Sequence, residues 1–104
     1  LLIYNVTSKV DHRQHAAWLK WMERAYLPAV MESGTVERYT LTRLLGVDET
    51  EGPTYALLLT FSSRMVFNIY QEKYALGHQR AIKDKWGDGV LSFPTMLDVV
   101  LKGE

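Results

Sequence analysis

Apolar and polar residues alternate from Leu2 to Val10. Leu2, Tyr4, Val6 and Val10 fall on one face, and Asn5, Thr7 and Lys9 on the other. A period of two over nine residues predicts a strand with one buried face. Asp11 then stands where a helix N-cap belongs, with Gln14 three residues on to close a capping box. His15, Trp18, Leu19, Met22, Ala25, Tyr26 and Ala29 follow at helical spacing and form one apolar stripe. Pro28 has no backbone N–H and crowds the carbonyl of Arg24, so a kink or restart is expected there. Gly34 is a natural helix stop.

The period returns to two from Thr35 to Leu45, through Tyr39, Leu41, Arg43 and Leu45. Gly46 to Pro53 is the most loop-like stretch of the chain. Thr54 to Phe61 is apolar at nearly every position, as a central strand should be. Ser62 or Ser63 caps a second helical region that runs to about Trp86, with Phe67, Tyr70 and Tyr74 on a first stripe and Ala81, Ile82 and Trp86 on a later one. Gly77 lies between the two stripes, where a bend or break is expected. Gly87-Asp88-Gly89 turns the chain into a last strand, Val90 to Leu101. Pro94 within it marks an edge or a bulge.

The order β-α-β-β-α-β predicts a single α+β domain, ferredoxin-like, over residues 1–104. Its four-stranded antiparallel sheet would run in spatial order 4-1-3-2, with both helices on one face. Two helices cover one face only. The other still carries apolar groups, because Ala56 and Leu58 oppose Tyr55, Leu57, Leu59 and Phe61 along the third strand. An exposed apolar sheet face of several hundred Å² normally marks an interface. A homodimer through the open sheet face is therefore expected.

Composition narrows the function. The 104 residues suffice for one core without metal or disulfide staples. Twelve basic side chains balance twelve acidic ones, which argues against broad electrostatic capture of nucleic acid or an anionic membrane. There is no cysteine, so disulfides, thiolate catalysis and Cys-ligated zinc are excluded. The first apolar run is interrupted by Asn5, Thr7, Ser8 and Lys9, unlike a signal peptide. No apolar run approaches the roughly 18 residues of a membrane span. The expected compartment is the cytoplasm, and no cofactor is called for.

Candidate chemistry is sparse. His12 and His15 lie three apart beside Asp11 and share a helix face. Two ligands without a third make a poor metal site, so the sharper role is His15 in a ligand cleft; the plainer one is a half-buried histidine at the helix–sheet edge. Trp18, Trp21 and Met22 are core or interface residues, or a wall on which a ligand stacks. Tyr39, Arg43 and Tyr55 on the second and third strands are the polar groups a small-molecule pocket requires, although Arg43 can equally reach solvent. His78, Arg80, Lys83 and Lys85 read as a solvated face interrupted by Asp84. If there is a site, it lies between helices and sheet within reach of His15, Trp18, Tyr39, Arg43 and Tyr55. The third strand lacks the basic-Gly-aromatic run of an RNA-recognition motif. A phosphate-binding glycine loop, a G-x-S-x-G turn and a catalytic triad are also missing.

Leu2-Ile3-Tyr4-Asn5-Val6-Thr7, Val10-Asp11 and His15-x-x-Trp18-x-x-Trp21-Met22 resemble the DUF4286 family, small bacterial proteins of unknown function. The likeness continues through Tyr39, Arg43-Leu44-Leu45, Glu51-Gly52-Pro53-Thr54-Tyr55-Ala56, Tyr70 and Phe93-x-Thr95-Met96-Leu97-x-Val99-Val100. That family is similar to the dimeric α/β-barrel superfamily, which includes antibiotic-biosynthesis-type monooxygenases, and the resemblance implies the same face-to-face dimer. The family often carries His-Ile-Pro-Glu at the end of the first helix; this chain reads Tyr26-Leu27-Pro28-Ala29. Three functions are consistent with all this: a small-molecule-binding dimer, a cofactor-independent oxygenase-like enzyme, and a structural or regulatory dimer without a ligand.

Overall fold

A computed structural model describes residues 1–104. Strand β1 (Leu2–Val10) leads into α1 (His12–Trp21), a widened π turn (Met22–Tyr26) and α2 (Leu27–Glu32). Strands β2 (Arg38–Arg43) and β3 (Thr54–Phe61) follow. A second arm runs through α3 (Arg64–Tyr70), another π turn (Gln71–Ala75) and α4 (Leu76–Trp86), and β4 (Val90–Asp98) closes the chain. The antiparallel sheet has the order β2-β3-β1-β4, as the patterning predicts.

Local chemistry explains the helix boundaries. Asp11 caps α1 by accepting from the backbone N–H of Arg13 at 2.8 Å. The expected capping box does not close: the Gln14 carboxamide packs against Gly89 instead, and its oxygen is buried without a partner. The disturbance expected at Pro28 falls one turn earlier. With no proline N–H to continue the ladder, the backbone widens over Met22–Tyr26, where Leu27 N–H reaches back to the Met22 carbonyl. In the second arm Ser63 is the cap, its hydroxyl accepting from Val66 N–H at 3.2 Å. Gly77 does not break the helix; the widening precedes it at Gln71–Ala75, and Gly77 lies inside α4.

Both outer strands are shorter than their sequence pattern. In β4 the limit is the partner: β1 begins at Leu2, so after the Val99 N–H to Leu1 carbonyl bond of 3.1 Å nothing remains to pair with. Val100 and Leu101 are consequently exposed. Pro94 sits opposite Val6 on this edge strand, where its missing donor costs no ladder bond.

The core fills the space between one sheet face and the helical arms. Tyr55, Leu57, Leu59 and Phe61 of β3 are all buried on that side, with Leu2, Tyr4 and Val10 of β1. Trp18, Met22, Leu27 and Val30 cover them from the first arm, Phe67, Tyr70 and Ala75 from the second. Each large side chain buried this way contributes roughly 1.5–3 kcal/mol. Phe67 ties the layers together, 5.4 Å from the Tyr4 ring and 5.1 Å from that of Phe61. The opposite face carries Ile3 beside Leu97, Thr7 beside Phe93, and Leu58 across from Asn5. Nothing in the chain covers it. Leu91, Phe93 and Leu97 are exposed, Phe93 by 63%.

The β2–β3 loop depends on Gly52, whose φ of +148° is forbidden to side chains. A Cβ there would also overlap the carbonyl of Val10. Gly46, at φ +73°, has open space around it. Gly52→Ala should therefore cost about 2 kcal/mol or more in urea denaturation, and Gly46→Ala about 1 kcal/mol. Equal losses would contradict this account of the loop.

Candidate functional site

The register puts Tyr39, Leu41 and Arg43 of β2 opposite Leu59, Leu57 and Tyr55, hence on the helix side of the sheet. Four of the five sequence-predicted site residues meet there. The Nε2 of His15 lies 2.6 Å from the Tyr55 hydroxyl, Trp18 packs on the same ring at 4.9 Å, and the Arg43 guanidinium sits 5.9 Å from its centroid. Tyr39 stands four register pairs away, roughly 13 Å along the strand, and is 41% exposed.

What these residues hold together is the loop. Arg43 donates two hydrogen bonds to the Glu49 carboxylate, at 3.1 and 2.8 Å. The Nε2 of His12 donates to the Glu49 carbonyl at 2.8 Å, and His12 N–H bonds Glu51 O at 3.1 Å. The loop is thereby clasped to the start of α1. Arg43 holds the Glu49 carboxyl below its usual range, while burial and then the Arg43 charge hold His15 below the usual histidine range. None of the five residues borders either of the two main hollows of the molecule, and no group of three or more His, Asp or Glu side chains converges.

Of the two hollows, the more enclosed opens between α4 and strands β1 and β4. It encloses about 380 Å³, within the usual range for a small-molecule site. Apolar walls come from Val6, Leu59, Ala75, Ile82 and Val90. The polar groups are Tyr4, Tyr26, Tyr70 and Gln79, with Lys83 and Asp88 also on the lining. Burial pushes all three phenols above their ordinary range, slightly offset at Tyr4 by a hydrogen bond with Gln79. At neutral pH they are uncharged donors.

Behind this wall, Tyr70 Oη lies 2.8 Å from His78 Nδ1. Burial lowers the His78 pKa, so the ring is neutral at pH 7. The Tyr70 hydroxyl has no other partner, and its hydrogen bond with Nδ1 runs in the direction set by the tautomer of the neutral ring. His78 stands among Tyr26, Tyr70 and Tyr74, at 5.9, 5.6 and 6.3 Å between centroids. It therefore does not belong to the solvated face that its charged neighbours suggested. The spacing Tyr70, Tyr74, His78, each four residues apart, was the signal that could have found it.

Fold and cleft together define an α+β protein of ferredoxin-like order with a concavity between helices and sheet. The chain belongs to the family described as a domain of unknown function, DUF4286, whose model matches residues 1–100. No curated protein matches it. The fold is similar to that of HapK from Hahella chejuensis, with TM-score 0.72, 11% identity, and coverage of 100% of this chain and 97% of that one. A dimeric ferredoxin-like protein from an uncultured marine organism gives TM-score 0.70 at 11% identity, covering 98% and 97%. SnoaB, a cofactor-independent oxygenase from Streptomyces nogalater, gives 0.69 at 15% identity, covering 97% and 95%. At these identities the likeness concerns the fold. No helix is long and apolar enough to cross a membrane.

His15 and His78 both have lowered folded-state pKa values, so the unfolded chain binds the extra protons first. The stability they support is complete above the unfolded histidine value of about 6.5 and is lost as pH falls from there through the folded values. His78→Gln keeps an acceptor for Tyr70 but removes one titrating group. Denaturation curves between pH 8 and pH 5 should show a shallower acid-side loss for the variant than for the wild type. Parallel pH profiles would contradict the assignment of His78 as neutral.

Proposed function

We propose that this protein is a homodimer that binds a small organic molecule in the cleft between α4 and strands β1 and β4. The observation that carries the reading is the lining: an apolar hollow of about 380 Å³ bordered by the protonated phenols Tyr4, Tyr26 and Tyr70 and the Gln79 carboxamide, with the Tyr70 hydroxyl tied to His78 behind the wall. Such a surface suits an uncharged or weakly acidic ring system with carbonyl or phenolic oxygens that accept from tyrosine. Lys83 offers charge to an acidic substituent. His15, Trp18, Arg43 and Tyr55 act from a distance on this reading, by fixing the sheet and the β2–β3 loop, and Tyr39 is an exposed residue of the same face outside the cleft lining. A cysteine-free chain without a membrane-spanning helix suits the cytoplasm.

A second reading makes the cleft catalytic. Tyr70 backed by His78 is a ready proton relay, and the fold likeness to a cofactor-independent oxygenase makes proton removal from an activated ring substrate the reaction to look for. Tyr70→Phe distinguishes the two: binding should weaken modestly in either case, whereas turnover, if present, should fall by about 100-fold.

Native mass spectrometry of protein purified from its own host should reveal a retained molecule of a few hundred daltons, and Ile82→Trp, which fills the cleft, should abolish it. A protein that carries nothing and is stabilised by Ile82→Trp would favour the ligand-free structural dimer.

Dimerisation rests on the uncovered sheet face. A charge placed there leaves the core untouched but faces the partner's apolar groups. Sedimentation at micromolar concentration should give a dimer for the wild type and a shift toward monomer for Leu58→Lys and Phe93→Lys, each with an unchanged circular dichroism spectrum. A folded wild-type monomer at high concentration would overturn the assembly.

A further inference from the structure

The second hollow lies on the helical layer between α1 and the end of α4, and shares no lining residue with the cleft. Its base is formed by Trp21 and Trp86, which meet edge to face with centroids 5.8 Å apart. Small exposed residues of α1, Ala17 among them, keep the neighbouring surface low, and a shallow groove of about 510 Å³ results. Lys20 and Arg24, one helical turn apart, stand along one side. Lys85 stands across from them, its Nζ 5.4 Å from the Trp86 ring.

Charge is what sets this groove apart. All three cations are exposed, and none takes part in an ion pair; the pairs of this chain are Lys9–Glu51, Arg13–Asp11 and Arg43–Glu49. Glu23 and Asp84 are the nearest acids along the chain, and neither lines the groove. In a protein of zero formal net charge this is a local concentration of three unneutralised positive groups around an apolar floor.

We propose that the groove is a docking site for an acidic peptide segment with an apolar anchor residue. A small molecule would leave most of its surface wet in so shallow a site, whereas small-molecule pockets usually enclose their ligands. A peptide can lay one aliphatic or aromatic side chain over Trp21 and set carboxylates against Lys20, Arg24 and Lys85. This is the usual combination of an aromatic anchor with a charged rim. A bilayer is the poorer fit, because Trp86 is buried and Trp21 half-buried, and neither ring can insert. The site sits on the helices, so a dimer formed through the sheet leaves it open.

The test uses the full chain and calorimetry at low and at moderate salt. The probes are a panel of acetylated eight-residue peptides of alternating glutamate and leucine carrying one phenylalanine at varied positions, their lysine-for-glutamate counterparts, and phosphatidylserine vesicles. The acidic peptides should bind, more weakly as salt rises, and the lysine peptides should not. The double variant Lys20→Glu, Arg24→Glu and, separately, Ala17→Glu should each weaken binding at least about tenfold, with unchanged circular dichroism and unchanged sedimentation. Equal affinity for both peptide sets, failure of every acidic peptide to bind, indifference to the charge reversals, or binding of vesicles in preference to peptides would each overturn the proposal.

Discussion

Two helical arms can cover only one face of a four-stranded sheet, and the rest of this structure follows from that. The inner face of β3, Tyr55 through Phe61, is the common floor on which both arms pack. Both arms carry a widened turn along their course over this floor. These π turns fall at Met22–Tyr26 and at Gln71–Ala75. A widened turn is a common local device for re-aiming a helix without ending it. Tyr26 and Ala75, which close these two turns, both border the cleft. The widened turns thus supply two residues of the hollow's wall.

The two ends of the helix–sheet layer consequently behave differently. At the β2 end Trp18, His15 and Arg43 converge on Tyr55, and the space is filled. At the β4 end the strand is an edge with Pro94 in it, and a cavity remains between it and α4. Polar groups are satisfied differently too. The filled end spends its charges on the loop through Arg43 and Glu49. The open end is lined by neutral phenols, and one of them, Tyr70, is bonded to His78 behind the wall.

Much of the fold was legible because periodicity reports burial directly. Alternation fixed the faces of β1 and β3, and Asp11, Ser63 and Gly34 marked helix ends through their own backbone chemistry. What was not legible depended on partners distant in sequence. Gln14 fits a capping box locally, yet Gly89 draws its side chain away. Val99 to Leu101 continue a strand pattern, yet β1 offers them nothing to pair with. The site divides in the same way. That Arg43, Tyr55 and His15 share one side of the sheet could not be told from alternation alone, because it depends on the register of β2 against β3. The cleft leaves little trace in the sequence, because its polar lining is largely tyrosine, a residue type that ordinarily reads as core, and because His78 stands beside the charges of Arg80, Lys83 and Lys85.

The central claim is that the hollow beside Tyr4, Tyr70 and Gln79 is the place where this protein meets its ligand. A crystal structure of protein purified gently from its own host tests it most directly. The account predicts electron density for a ring-bearing molecule in that cleft, with an oxygen within hydrogen-bond distance of a tyrosine hydroxyl. Density for a bound molecule against Arg43 and Tyr55, with the cleft beside Tyr70 collapsed or holding water alone, would contradict it.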